Sequence, residues 1–384
     1  MSNIELLKAA PNDFEELIDF TNLVFSVYAP SNFEAELPAL YKKQNFMTGT
    51  NYIVKENGRI VANVGAYPFD YNVCGDILKV TAVTVVAVHT RVRLKGYMKK
   101  LMEMALSDIN KDGTDLSFLY GLRQRYEYFG YTPCGIRLEY ICNKHNIQHF
   151  FAETSKNITF KEADASDGEI FDEVYKSYHT GSVYIKRPQE RFTDIMATWQ
   201  NKTLGIYNED RFVGYISASK DYGTICELKI NDMNLLGDVL GVYLDKYRRF
   251  DVNISVFPFE TELNAGISKF ADSISVQKDG NYNVINYINV LNSFLKLKCE
   301  NTKIPDGEIA FHIRDFGNIL ISVFDNHPSV IYTDKKPDAE LTQLEATQLF
   351  FSPLSAFSPG ILDGNTFARC LFPIPLFVRK LDRS

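Results

Sequence analysis

Between an apolar run, Lys79 to Val88, and an amphipathic run that starts at Tyr97 lies a short basic turn, Arg91-Val92-Arg93-Leu94-Lys95-Gly96. Arg91, Arg93, Lys95, Lys99 and Lys100 all gather where the next helix is expected to begin. The first N–H groups of a helix lack intrahelical acceptors and the helix dipole is positive there, so added cations are unfavourable unless an anion docks. Gly96 suits such a place, because a side chain would keep a phosphate away from the backbone N–H groups. The turn therefore reads as a pyrophosphate cradle. Arg and Gly three apart is a common spacing, and its weight comes from the strand before it and the helix after it. Downstream, a second apolar run, Leu116 to Gly121, leads into Tyr126-Glu127-Tyr128-Phe129-Gly130-Tyr131, which concentrates phenols beside the turn's strand.

The elements that must position these residues follow from periodicity. After Gly96, Met98, Leu101, Met102, Ala105, Leu106 and Ile109 recur on one helical face, and Lys111-Asp112-Gly113 closes the helix. Upstream, apolar spacing predicts helices over Phe14 to Val27 and Glu34 to Phe46. Asn57-Gly58 between Tyr52 and Ala62 predicts a hairpin. Strands from Gly135 to Cys142 are expected to complete a first domain, residues 1–145. A second region, 146–288, repeats this grammar: a helix near Ile170 to Tyr178, a hairpin over Thr203 to Tyr215, a strand Cys226 to Ile230 and a helix Leu235 to Tyr247. It lacks the basic glycine turn, and Asp232 puts negative charge at the helix start. A third region, 289–384, alternates as Ile309/Phe311/Ile313 and Ile319/Ile321/Val323, then adds a helix Gln343 to Phe351 and a proline-punctuated tail. No low-complexity linker separates the three, which implies one packed body.

A net charge of −7 argues against nucleic acid as the main partner and is compatible with a cationic substrate. The six cysteines form no Cys-x-x-Cys pair and read as reduced thiols of a cytoplasmic protein. No apolar segment reaches the ~18 residues of a membrane span, and the N-terminus does not read as a signal peptide. Cysteines and histidines show no metal-ligand spacing; His145 and His149 read as neighbours on a helix surface. No phosphate-binding P-loop motif is present. Phe25, Tyr28 and Phe33 are expected in the core, with pocket lining as the alternative.

The run Val86-Ala87-Val88-His89-Thr90-Arg91-Val92-Arg93-Leu94-Lys95-Gly96-Tyr97-Met98 resembles motif A of the GNAT acetyltransferases, which bind the pyrophosphate of acetyl-CoA at this turn. Met98 departs from the usual Arg/Gln-x-x-Gly-x-Gly/Ala. With Tyr-x-x-Phe-Gly-Tyr downstream and the three-part layout, the chain is similar to the Eis (enhanced intracellular survival) type. That type implies an α+β fold of tandem GNAT domains, the second without the CoA motif, followed by a sterol-carrier-like domain.

By that resemblance, backbone groups of Val86 and Val88 would hold pantetheine and the thioester carbonyl, while Arg93, Leu94, Lys95, Gly96, Tyr97 and Met98 would surround the pyrophosphate. Tyr126 matches the general acid; a phenol with an ordinary pKa of about 10 can protonate a leaving thiolate at neutral pH. The family's base is the C-terminal carboxylate, which makes Ser384 a candidate, with Lys380 and Arg383 near enough in sequence to pair with it. The chain ends on a polar residue where the family has an aromatic, and a disordered tail is the alternative. The implied activity is acetyl transfer from acetyl-CoA, as co-substrate, to a primary amine (aminoglycoside, lysine or polyamine-like), in a homo-oligomer, for which the resemblance suggests a hexamer. The rival readings are a carrier of an apolar ligand with a degenerate core and a transferase for longer acyl chains.

Overall fold

Asn57 and Gly58 both take left-handed backbone conformations, with φ of 51° and 77°, and this turn organises the first sheet. In the computed structural model, which describes residues 3–27, 29–151, 157–164, 167–355, 360 and 363–383, the sheet opens with β1 (Ile4–Lys8), β2 (Asn51–Glu56), β3 (Arg59–Val73), β4 (Asp76–Val88) and β5 (Leu116–Leu119), side by side in that order. All neighbours are antiparallel except β4 and β5, which run parallel. A parallel pair needs a crossover, and the helix Tyr97–Lys111 supplies it. Leu101, Met102, Ala105 and Ile109 bury the face that its period predicts. Asp112 and Gly113 end it, Gly113 at a φ of 69°.

The second sheet repeats the pattern. Lys202–Asn208, Arg211–Ala218 and Thr224–Ile230 form an antiparallel meander, the helix Leu236–Lys246 crosses over, and Asp251–Val256 pairs parallel to Thr224–Ile230. A third sheet of four strands, His327–Tyr332, Gly317–Phe324, Gly307–Ile313 and Ala339–Leu341, turns its alternating apolar residues inward. The helix Gln343–Phe351 stands where periodicity places it. The structure is thus α+β with mixed sheets.

Two strands lie where periodicity does not put them. Arg137–Asn143, expected to close the first region, pairs in the second sheet between Asp251–Val256 and Ser273–Gln277. Gly280–Val284 returns to the first sheet between β5 and Thr132–Cys134. Each sheet thus takes a strand from the other half of the chain, beside its parallel strand. The third sheet shares a core with the first: Val80, Leu116, Phe118 and Tyr282 belong to one buried cluster with Phe294, Phe311 and Phe350.

The single helix expected over Glu34 to Phe46 is instead two short ones, Phe33–Glu36 and Pro38–Tyr41, followed by a 3-10 turn. Pro38 is the cause. It has no N–H, and its ring drives the preceding residue out of the helical region; Leu37 sits at φ −128°, ψ 59°. Among the described residues no helix is long and apolar enough to cross a membrane.

Candidate active site

The ladder between β4 and β5 runs from Val80↔Leu116 to Val83↔Leu119 and stops there. Beyond it β4 carries a bulge. Asn63 pairs with Ala87 and Gly65 with Thr84, so Val85 and Val86 together oppose Val64. Val85 has a φ of 49°, strained for a β-branched residue, and the Asn63 amide donates to its carbonyl at 3.1 Å. Such a bulge ends pairing and re-aims the strand. Val86, expected from the sequence to meet the thioester arm, lies on this bulge. Val88 lies two residues on, paired with Ala62.

At the end of β4 the basic turn takes two left-handed residues, Leu94 (φ 71°) and Gly96 (φ 76°). Gly96 caps the helix from outside, and a Cβ there would meet nothing within 4 Å. Its side is open, as an approach to the backbone requires. Arg91, Arg93, Leu94, Lys99 and Lys100 are exposed. Lys95 is exposed as well, but it and the buried Tyr97 are tied to β2: Glu56 at its end accepts from Lys95 Nζ at 2.7 Å and from the Tyr97 hydroxyl. These bonds hold the Glu56 carboxyl below its usual range, Lys95 first and Tyr97 next, and raise the Tyr97 phenol to about 12. One cation of the turn is therefore already neutralised within the chain. Met98 packs half-buried against the helix's core cluster.

The diverging ends of β4 and β5 open onto a cavity of about 730 Å³, lined by Val83 to Val86 and by Leu119 to Leu122. Tyr126 forms part of its wall at the end of the short helix Arg123–Tyr126. The three tyrosines of the motif separate cleanly. Tyr131 is fully buried with its hydroxyl 2.7 Å from Ser117 Oγ, and Tyr128 is 83 % exposed. Tyr126 alone of the three lines the cavity. Burial raises its phenol above the usual value, with Arg125 opposing, so it keeps its proton at neutral pH. Gly121 makes room for it: a Cβ at 121 would stand 3.1 Å from Tyr126 Cδ2 and 3.2 Å from Cζ. Phe25 and Phe33 also line the cavity, rings 5.0 Å apart, so they pack and line at once. Tyr28 lies outside the described residues.

The tail, for which disorder was the alternative, is buried. Residues 374–378 and 381–383 are all buried. Leu376 accepts from Ile136 N at 2.8 Å, Phe377 O from the Tyr71 hydroxyl at 2.8 Å, and Asp279 Oδ2 from Val378 N at 2.8 Å. Near its end the tail is pinned by charge. Arg187, 1 % exposed, donates from Nε to Asp382 Oδ1 at 2.8 Å and from Nη2 to Asp382 Oδ2 at 3.0 Å, and it also holds Glu227. Arg383 bonds Asp279, and its carbonyl accepts from Trp199 Nε1 at 3.3 Å. Lys380, Arg383 and Trp199 all line the Tyr126 cavity. Sequence reasoning missed Arg187, Glu227 and Asp279; they stand far apart in the chain with no spacing signal. Ser384, the candidate base, lies outside the described residues.

Residues 5–134 match the family described as acetyltransferase (GNAT) domain. The sequence has no match among curated proteins. The fold resembles a conserved protein of unknown function from Enterococcus faecalis V583, with a TM-score of 0.70 at 15 % identity over 98 % of this chain and 99 % of that one. A GCN5-related N-acetyltransferase from Anabaena variabilis gives a TM-score of 0.68 at 14 % identity, covering 98 % and 100 %. Eis1 from Mycobacterium abscessus gives 0.67 at 14 % identity, covering 98 % and 99 %. At these identities the structural likeness speaks for the fold. The domain match over the first third makes the chain an enzyme of the acyl-transfer kind.

Proposed function

We propose that the protein transfers an acetyl group directly from acetyl-CoA to a primary amine bound in the Tyr126 cavity. The observation that carries this reading is the order along one stretch of chain: a cavity walled by Val86 and Tyr126, the bulged end of β4 at Val85 and Val86, and the basic turn that follows β4 and opens the helix at Gly96. Arg93, Leu94, Lys95, Gly96, Tyr97 and Met98 would surround the pyrophosphate, with Lys95 restrained by Glu56. Backbone groups at Val86 and Val88 would orient the pantetheine arm and polarise the thioester carbonyl. The amine nitrogen attacks that carbonyl, the carbon–sulfur bond breaks, and Tyr126 gives its proton to the departing thiolate. The proton released by the amine balances the one Tyr126 supplies. The carboxylate of Ser384 is the proposed base; the pinned course of residues 374–383 to the cavity wall supports it.

Tyr126→Phe tests the acid. Its turnover should fall by roughly 100-fold, the lower range for a general acid, with the acetyl-CoA KM nearly unchanged. Full activity in the phenylalanine variant would remove Tyr126 from the reaction.

A further inference from the structure

Among the described residues, and besides the largely buried branch Val183–Ile185, the three sheets end on six strands: β1, Thr132–Cys134, Ile158–Ala163, Ser273–Gln277, His327–Tyr332 and Ala339–Leu341. A last strand leaves backbone N–H and C=O groups unpaired, and chains guard such rows with charge or proline. Five of the six are guarded in this way: β1 by Glu5 and Lys8, the others by Pro133, Lys161, Pro328 and Glu340. Ser273–Gln277 has neither charge nor proline, and within the chain it pairs on one side only, with Arg137–Asn143. Every residue from Asp272 to Lys278 is exposed, Ile274 at 50 % and Val276 at 58 %. Ile274 pairs with Tyr140, which lies in the second sheet's core, and Val276 pairs with Leu138, which packs against it. The apolar face of that sheet therefore runs out to an uncovered edge.

This strand is also complementary to itself. Laid antiparallel to a second copy about Ser275, Ile274 meets the partner's Val276, Ser273 meets the partner's Gln277, and the flanking Asp272 meets the partner's Lys278. Apolar pairs and opposite charges set directly across a ladder both stabilise it, and a two-fold axis makes each pair twice. Sliding the register by one residue loses the apolar and the charged matches together. The Asp272 carboxylate accepts from Asn143 Nδ2 at 3.2 Å, and among the described residues neither Asp272 nor Lys278 forms a salt bridge. Both charges are thus free to face a partner. We propose that Ser273–Gln277 is a dimer contact: two copies of this chain pair the strand antiparallel across a two-fold axis and join their second sheets into one. The surface and its register come from this strand, and they do not depend on the acetyl-transfer reading.

Sedimentation equilibrium of the full chain tests it, over a concentration range of roughly 1–100 μM. The native chain should associate, and Val276→Lys, which puts on this strand the guard that other edges carry, should remove the contact. Should the native assembly hold more than two copies, Val276→Lys must lower its mass. Asp272→Lys and Lys278→Asp each set like charges opposite one another at both ends of the contact, and each should raise the dissociation constant roughly tenfold. The double variant Asp272→Lys/Lys278→Asp restores opposite charges and should return the native constant, a recovery that damage to the fold would not produce. All three positions are exposed. A native chain that stays monomeric throughout, or an assembly whose mass none of these variants changes, overturns the proposal. Weakening by both single changes without recovery in the double variant overturns this register and the pairing with it.

Discussion

Replacing Gly121 with alanine should disable the acid without touching it. Gly121 is not in the left-handed region, so alanine adds no backbone strain and slightly restricts the unfolded chain. The whole effect is steric. The new methyl would stand 3.1 Å from Cδ2 and 3.2 Å from Cζ of Tyr126, and nearer still to Cε2. Carbon atoms prefer roughly 3.5–4.0 Å, so the ring must retreat by roughly 1 Å, and a displacement of that size at a reacting group can cost about 100-fold in rate. That equals about 2.7 kcal/mol of barrier. Steady-state thiol release should show the loss in kcat, with acetyl-CoA KM within about twofold of wild type. The decisive control is a cycle with Tyr126→Phe. If alanine acts by displacing the phenol, it costs little once the hydroxyl is gone. A Gly121→Ala enzyme with wild-type kcat, or a loss that simply adds to that of Tyr126→Phe, would refute the reasoning.

Other perturbations address the turn and the tail. Arg93→Ala should raise the acetyl-CoA KM severalfold and leave kcat nearly intact; an unchanged KM would remove the cradle argument. Arg187→Met leaves Glu227 and Asp382 buried without the cation between them, at a cost of about 3–5 kcal/mol, and a urea midpoint equal to wild type would contradict that. Glu56 has its carboxyl held down by Lys95 and Tyr97, so its contribution to stability is complete above the ordinary value of 4.5 and is lost as pH falls through the lower folded value. The midpoint gap between wild type and Glu56→Gln should therefore be constant near neutrality and close only below 4.5. A gap that closed between pH 6 and 8 would mean another group is responsible.

Local chemistry made much of this molecule legible in advance. The Asn57-Gly58 hairpin, the helix after Gly96 and the alternation at Ile309/Phe311/Ile313 each depend on residues a few positions apart, where turn preference and side-chain period act. The basic turn could be read as an anion site for the same reason, since its charges and its glycine are contiguous. Pro38 was equally readable, and the single helix expected across it was a misreading of a local signal. Tertiary structure alone decided the rest. Arg137–Asn143 and Gly280–Val284 each mix polar and apolar residues with nothing that names a partner strand, and which sheet each joins depends on the free edge beside a distant parallel strand. Glu56 reaches Lys95 only because β2 ends beside the turn. The tail reads as polar and loose from Arg379 to Arg383, yet Arg187, itself held by Glu227, and Asp279 hold it at the cavity. Periodicity describes which face of an element is apolar, whereas partners for buried charges are chosen by packing between segments more than 100 residues apart.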